Sequence, residues 1–323
     1  MSAEPTTTAE SIARRSWRDY LGLVARGSCM GVADTIPGVS GGTVAFISGI
    51  YEELVESLAR LGPARLQDLR IGGPLRFWRS INGSFLLAVF GGALITLFAV
   101  AEVMNWLLND HRVVLWAFFF GLILASVPLV LTRMRHWRPG HLLWGGAGIA
   151  VGLGVTLLTP GSTPDALWMV FLAGMIAISA MVLPGISGSF LLLLMNQYET
   201  MVAAVVERDL LLIAIFGAGA VIGILSVSRL LSALYHRHHD ATVALLTGFM
   251  FGSLNALWPW QDASGTGGLS GHHWPWQYEA ATGSPPQLLA VLICFAFGIG
   301  LIAWFARFDP PPSPLADVAD EVA

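Results

Sequence analysis

The sequence predicts an all-α polytopic membrane protein built from two inverted-topology repeats, each a re-entrant helical hairpin followed by three transmembrane helices. Three observations predict it: an apolar composition, a broken motif that occurs twice, and arginines that segregate to one side. Of 323 residues, 55% are hydrophobic and only 12% charged, with mean hydropathy +0.67. A soluble domain is about a quarter charged, so this composition points to the bilayer rather than to a soluble enzyme.

In chain order, residues 1–16 are polar, lack the apolar core of a signal peptide, and read as a disordered cytoplasmic tail. Repeat 1 covers 17–160: a re-entrant segment at 17–58, an arginine-rich cytoplasmic loop at 60–82, and spans at 84–108, 113–132 and 141–159. Repeat 2 covers 161–308: a re-entrant segment at 166–206, then spans at 210–228, 241–258 and 288–306. Each span approaches the ~20 apolar residues that a bilayer demands. The proline-rich stretch 309–323 reads as a second cytoplasmic tail. Cys29 and Cys294 are far apart in apolar sequence, so neither a disulfide framework nor metal-ligand spacing is expected. No cofactor, metal or nucleic acid is predicted as a partner, and the net charge of −4 selects none.

The duplication is legible in the breaks. "IPGVSGGTVAFISGIYE" (36–52) aligns without a gap on "LPGISGSFLLLLMNQYE" (183–199) at an offset of 147. Pro37 falls on Pro184, Gly38 on Gly185, Ser40 on Ser187, Gly41 on Gly188 and Glu52 on Glu199. Further on, "FGGAL" at Phe90 matches "FGAGA" at Phe216, and "GLILAS" at Gly121 matches "GFMFGS" at Gly248. The offset there is 126 to 127, and the loop 60–82 accounts for the difference. The unit is therefore duplicated, with a period of roughly 145 residues.

Charge orients the copies. The chain has no lysine, and its 17 positive charges are all arginines. Positive loops stay in the cytoplasm. With both termini inside and each broken segment entering and leaving on one face, 15 arginines lie inside and only Arg112 and Arg208 outside. Full crossings at the breaks would instead separate Arg60–Arg79 from the N-terminal arginines. Three crossings per repeat then turn the second copy upside down.

Inverted repeats with discontinuous helices are the build of secondary transporters. Non-helical backbone at membrane depth persists only when buried in protein or lining a wet cavity. Pro37 and Pro184 would end the incoming limbs. Ser40 and Ser187 suit N-caps of the outgoing helices. Gly41 and Gly42, with Gly188 and Ser189, would bring backbone N–H groups close to a ligand. Helix N-termini favour anions, phosphate above all. Asp34, opposite Met181 in the alignment, is an acid at membrane depth and so a candidate functional group. Arg26 either snorkels to the interface or reaches in toward the phosphate. Glu52 and Glu199 lie 12 residues past the caps, about 18 Å along a continuous helix, and read as surface anchors or coupling groups. The "HRHH" run at 236–239 reads as a solvated basic turn.

The stretch "RGSCMGVADTIPGVSGGTVAFISGIYEEL" (26–54) resembles the signature of the bacterial polyprenyl-phosphate transporter family, and "MVLPGISGSFLLLLMNQYE" (181–199) resembles its second copy. The resemblance runs over about 17–307. It implies transport of undecaprenyl phosphate, the lipid carrier of cell-wall synthesis, across the bacterial cytoplasmic membrane. It also carries Arg26, Asp34, Pro37, Gly38, Ser40, Gly41, Gly42, Thr43, Pro184, Gly185, Ser187, Gly188 and Ser189 as substrate-site residues. Asn196 and Gln197 stand where a glycine is expected before the second Tyr–Glu pair. Proton or cation coupling through Asp34, Glu52 or Glu199 is plausible chemistry. Two alternatives stay open: a membrane polyprenyl pyrophosphate phosphatase and a small-anion transporter. The first is disfavoured because neither motif has an arginine after its serine or a nearby histidine for acid–base work.

Overall fold

The structure, a computed structural model, describes residues 15–35, 39–158, 166–262 and 271–308, and these are built from helices. Of the predicted tails, all but Arg15 and Ser16 lies outside the described residues. The first half contains α1 (Trp17–Asp34), α2 (Gly41–Ile47), α3 (Tyr51–Ala59), α4 (Pro63–Ser80), α5 (Gly83–Asp110), α6 (Arg112–Leu131) and α7 (His141–Thr156). The second contains α8 (Leu167–Val182), α9 (Gly188–Leu194), α10 (Tyr198–Glu207), α11 (Leu210–Ser253), α12 (Pro275–Thr282) and α13 (Leu288–Phe305).

Among the described residues, three helical stretches are long and apolar enough to cross a membrane: Gly83–Val100, Arg112–Leu131 and Leu210–Leu257. The shorter α7, α8 and Leu288–Trp304 are also apolar. Large apolar side chains such as Phe98, Leu143 and Leu289 face outward, as expected for a protein solvated by lipid.

Local chemistry sets the element ends. Ser16 and Asp19 form a reciprocal capping box that starts α1. Asp209 caps α11 by accepting from Leu211 N and Leu212 N at 3.0 and 3.1 Å. Pro63 in the first turn helps start α4, so the segment predicted as a loop at 60–82 is mostly helical, with a break at Gly73. The turn predicted between the spans 210–228 and 241–258 is absorbed into α11, whose backbone leaves helical geometry at His238 (φ −143°, ψ 54°).

The outgoing limbs are not continuous helices, so the 18 Å estimate for Glu52 and Glu199 does not apply. Gly49 (φ 78°) separates α2 from α3, and Asn196 (φ 51°) separates α9 from α10. These two residues are 147 apart. Asparagine tolerates the left-handed region, so the departure at Asn196 keeps the same turn. α9 and α10 are bent by 104°.

Corresponding helices pack through corresponding contacts. α1 packs on α5, and α8 on the first part of α11; α6 packs on α13, and α7 on the last part of α11. A β-carbon at Gly27 would strike the Val89 carbonyl, and one at Gly174 the Phe216 carbonyl. Likewise Gly121 sits against the Phe295 carbonyl and Gly248 against the Gly145 carbonyl. Small residues let membrane helices approach at the backbone. The second pair of crossings joins the two halves to each other, so neither half closes its core alone.

Candidate functional site

The two broken motifs meet. Ser40 Oγ donates to the Met181 carbonyl at 3.0 Å, and Gly185 N donates to Thr43 Oγ1 at 2.8 Å. Both bonds join residues more than 140 positions apart. Ser40, Gly41, Gly42, Thr43, Pro184, Gly185, Ser187 and Gly188 are buried, and Ser189 is half-buried. Gly185 is at φ 85°, and a β-carbon there would lie 2.8 Å from the Phe249 backbone. Only glycine fits both the dihedral and the approach. Pro37 and Gly38 lie outside the described residues.

The start of α2 is already occupied. Gly41 N donates to Asp34 Oδ1 at 2.7 Å, and Gly42 N donates to Ser40 Oγ at 3.1 Å. Two N–H groups expected to face a ligand are thus satisfied within the protein. The Asp34 carboxylate sits where the sequence suggested an external anion. Asp34 ends α1 and folds back across the break, a position that spacing alone does not reveal.

At the second motif Ser187 Oγ and Ser189 Oγ share a hydrogen bond at 2.9 Å, and Phe190 N approaches Ser187 Oγ at 3.5 Å. A cavity of about 130 Å³ opens here, lined by Asp34, Met181, Ser187, Gly188 and Ser189 with apolar neighbours from α8, α9 and α11. Asp34 and Met181, equivalent in the two copies, both line it. Asp34 supplies the cavity's formal charge, and its lining includes no arginine or histidine.

Arg26 lies half-buried on α1, eight residues before Asp34 and therefore about 12 Å along the helix. It does not line the cavity. Glu199 is exposed at the start of α10. Glu52 is engaged: its Oε1 lies 3.1 Å from His239 Nε2, while His239 Nδ1 lies 3.1 Å from Asp240 Oδ1. Both ring nitrogens face a carboxylate oxygen, an arrangement that favours the doubly protonated imidazole. The hydrogen bond to Glu52, against a smaller opposing effect of burial, and the bond to Asp240 raise the His239 pKa. Burial pushes Glu52 up, but His239 and the nearby Arg133 and Arg135 outweigh it and hold Glu52 below the usual carboxylate range. Asp240 also accepts from Arg135 N and His136 N at 2.7 and 2.9 Å, and Arg133 Nη2 donates to the Ile47 carbonyl at 3.1 Å.

The solvated turn expected at 236–239 is therefore partly a seam, joining α3 of one half to α11 of the other. Its signal in the sequence was complementarity: Glu52 and Glu56 lie four apart on one helix face, and His236 and His239 lie three apart. The equivalent region in the second half is open. Tyr51 is 1% exposed and Tyr198 42%; Val55 is 1% exposed and Val202 48%.

The seam makes a pH prediction. Its contribution from His239 is complete below the ordinary histidine range and is lost as pH rises through the raised value. The contribution from Glu52 is lost on the acid side, as pH falls through its lowered value. A cysteine at Val55→Cys should therefore react with a thiol reagent faster as pH rises past the histidine range. His239→Gln should make it reactive across the range. Labelling indifferent to both pH and His239→Gln would show that the pair holds nothing shut.

Residues 30–270 match the family described as undecaprenyl phosphate translocase-like. The chain is 44% identical over 244 residues to a polyprenyl-phosphate transporter of Vibrio cholerae serotype O1, covering 76% of this chain and 79% of that protein. It is 32% identical over 254 residues to a polyprenyl-phosphate transporter of Staphylococcus aureus, covering 73% and 85%. No solved structure gives a significant match. With both motifs inside the matched region and two relatives covered over most of their length, the chain belongs to the undecaprenyl phosphate translocase-like family.

Proposed function

We propose that this protein transports polyprenyl phosphate, undecaprenyl phosphate above all, across the bacterial cytoplasmic membrane, returning a lipid carrier for cell-wall synthesis. The observation that carries the reading is the junction of the two broken motifs beside a small cavity that brings Asp34, Ser187 and Ser189 together inside an apolar helical protein. The phosphate headgroup needs such a polar path, while the prenyl tail can stay in lipid. The matched contacts of the two halves support an inverted repeat, the arrangement that lets one site face either side in turn.

The cavity's charge dictates a condition. A phosphate beside an ionised Asp34 is repelled, and no lining arginine offsets it. Phosphate entry therefore goes with protonation of Asp34, which also weakens its acceptance from Gly41 N. This couples a proton to the headgroup. The contrast between the closed α3 seam and the exposed α10 supports a conformation shut on the Glu52 face and loosened on the other.

The direct test is purified protein in liposomes with labelled polyprenyl phosphate, following leaflet exchange and phosphate release together. The expected result is exchange above protein-free liposomes with no phosphate released from polyprenyl pyrophosphate. Release that disappears in Ser40→Ala or Ser187→Ala would assign the site to a phosphatase. The inverted arrangement has its own test. A cysteine introduced within 60–80 should resist an impermeant thiol reagent in intact cells, and one within 271–285 should react. Labelling of the 60–80 site from outside would dismiss the topology.

A further inference from the structure

The central cavity contains an acid and no arginine, so it does not supply the cations that a phosphate headgroup would meet on leaving. A second cavity does. It has a volume of about 630 Å³ and lies among the end of α3, the start of α4 and α11, lined by Glu56, Arg60, Arg65, Arg229, Ser232 and His236. That volume falls in the range of small-molecule sites. Its arginines come from three separate elements, so their convergence is a product of tertiary packing rather than of one basic run.

The geometry is specific. Arg229 Nη2 crosses from α11 to donate to the Leu61 carbonyl at 3.3 Å. A β-carbon at Gly62 would strike that guanidinium, so glycine there lets Arg229 lie over the α3–α4 turn. Glu56 is the carboxylate of the lining. It holds Arg60 Nη2 at 3.5 Å and His236 Nε2 at 3.5 Å. His236 Nδ1 contacts the Ser232 carbonyl at 2.8 Å, which orients Nε2 toward Glu56. Arg65 faces Asp68, outside the lining, at a loose 3.6 Å. Ion pairs this long and exposed contribute little and exchange partners easily.

We infer that this cavity is a second phosphate station, in which a phosphate-monoester group replaces Glu56 as the partner of Arg60 and His236 and also takes the Arg229 guanidinium that here rests on the Leu61 carbonyl. The inference rests on the transport reading and names where its substrate's headgroup docks beside the seam. A phosphate offers several acceptor oxygens to guanidinium forks, whereas Glu56 offers one carboxylate divided between a guanidinium and an imidazole. Glu56 thus stands in for the ligand in this conformation. Because Glu56 lies one turn from Glu52 on the same face of α3, taking its partners loosens the adjoining rung of the seam.

The test uses full-length protein in detergent and three probes: farnesyl phosphate, inorganic phosphate and short-chain phosphatidylglycerol. The station predicts saturable binding of a phosphate monoester. Arg229→Gln and Arg60→Gln should each weaken it about tenfold, the scale of one hydrogen bond to a charged group. Glu56→Gln should tighten it about threefold, as expected on removing an exposed competing charge. The opposite signs at touching residues separate a binding role from a merely structural one, and unchanged melting temperatures confirm folding. Tighter binding of farnesyl phosphate identifies the lipid substrate as the occupant, and tighter binding of inorganic phosphate identifies the free anion. Either supports the station. Equal binding of phosphatidylglycerol would reduce this face to an anchor for bilayer headgroups and overturn the proposal, as would no response to any of the substitutions. Because the assay reads binding alone, absence of lipid movement in liposomes would reject the transport reading without deciding this one.

Discussion

Gly188→Val should abolish lipid movement in proteoliposomes while the protein still inserts in the membrane. A β-carbon at Gly188 collides with the Ala177 carbonyl and lies 2.6 Å from Met181 Cγ. The valine methyls would fill the cavity beside Ser187 and Ser189 and press α9 away from α8. Overpacking of this kind costs about 1–3 kcal/mol, tolerable for a folded membrane protein but ruinous for a small site. Gly41→Val should act through a different atom, since its β-carbon would lie 2.5 Å from Asp34 Oδ2. It drives the carboxylate off the start of α2. Well-inserted Gly41→Val and Gly188→Val variants that both move lipid at the wild-type rate would mean that the breaks are packing kinks and that the central site does not exist.

Asp34→Asn should leave transport running but remove its dependence on pH. The amide oxygen can still accept from Gly41 N, so the break keeps its local structure. Its neutral side chain no longer repels phosphate and no longer binds a proton. Exchange measured across a pH series should therefore vary with pH in the wild type and be flat in Asp34→Asn. Exchange driven by an imposed proton gradient should stop accumulating lipid phosphate on one side. A variant that keeps both responses would remove Asp34 from the coupling and leave it as a cap. Because His239 and Glu52 remain intact in the variant, the pH series is confined to the window between the lowered Glu52 range and the raised His239 range, where the seam stays closed and any dependence reports Asp34.

Much of this was legible in one dimension. Apolar composition and arginine distribution are additive along the chain, and Pro, Gly and Ser at membrane depth mark breaks through local backbone chemistry. The repeat at an offset of 147 identified equivalent residues before any contact was known, including Asn196 in place of Gly49. Other features were invisible to such reasoning. Asp34 stood out as an acid at membrane depth, but not as the group that occupies Gly41 N. His239 looked like part of a solvated turn because its partner Glu52 lies 187 residues away.

The sequence by itself determined that the chain is helical and apolar, that one broken stretch recurs at an offset of 147, and which residue types stand at each break. Those properties depend on each residue's own hydration and backbone preferences, or on a comparison between two stretches. The tertiary structure decided which N–H groups are taken, which half closes its seam, and which arginines share a cavity. Those depend on packing: the crossing glycines bring α6 to α13 and α7 to α11, and only then do Asp34 and Ser187, or Arg60 and Arg229, come to line one space.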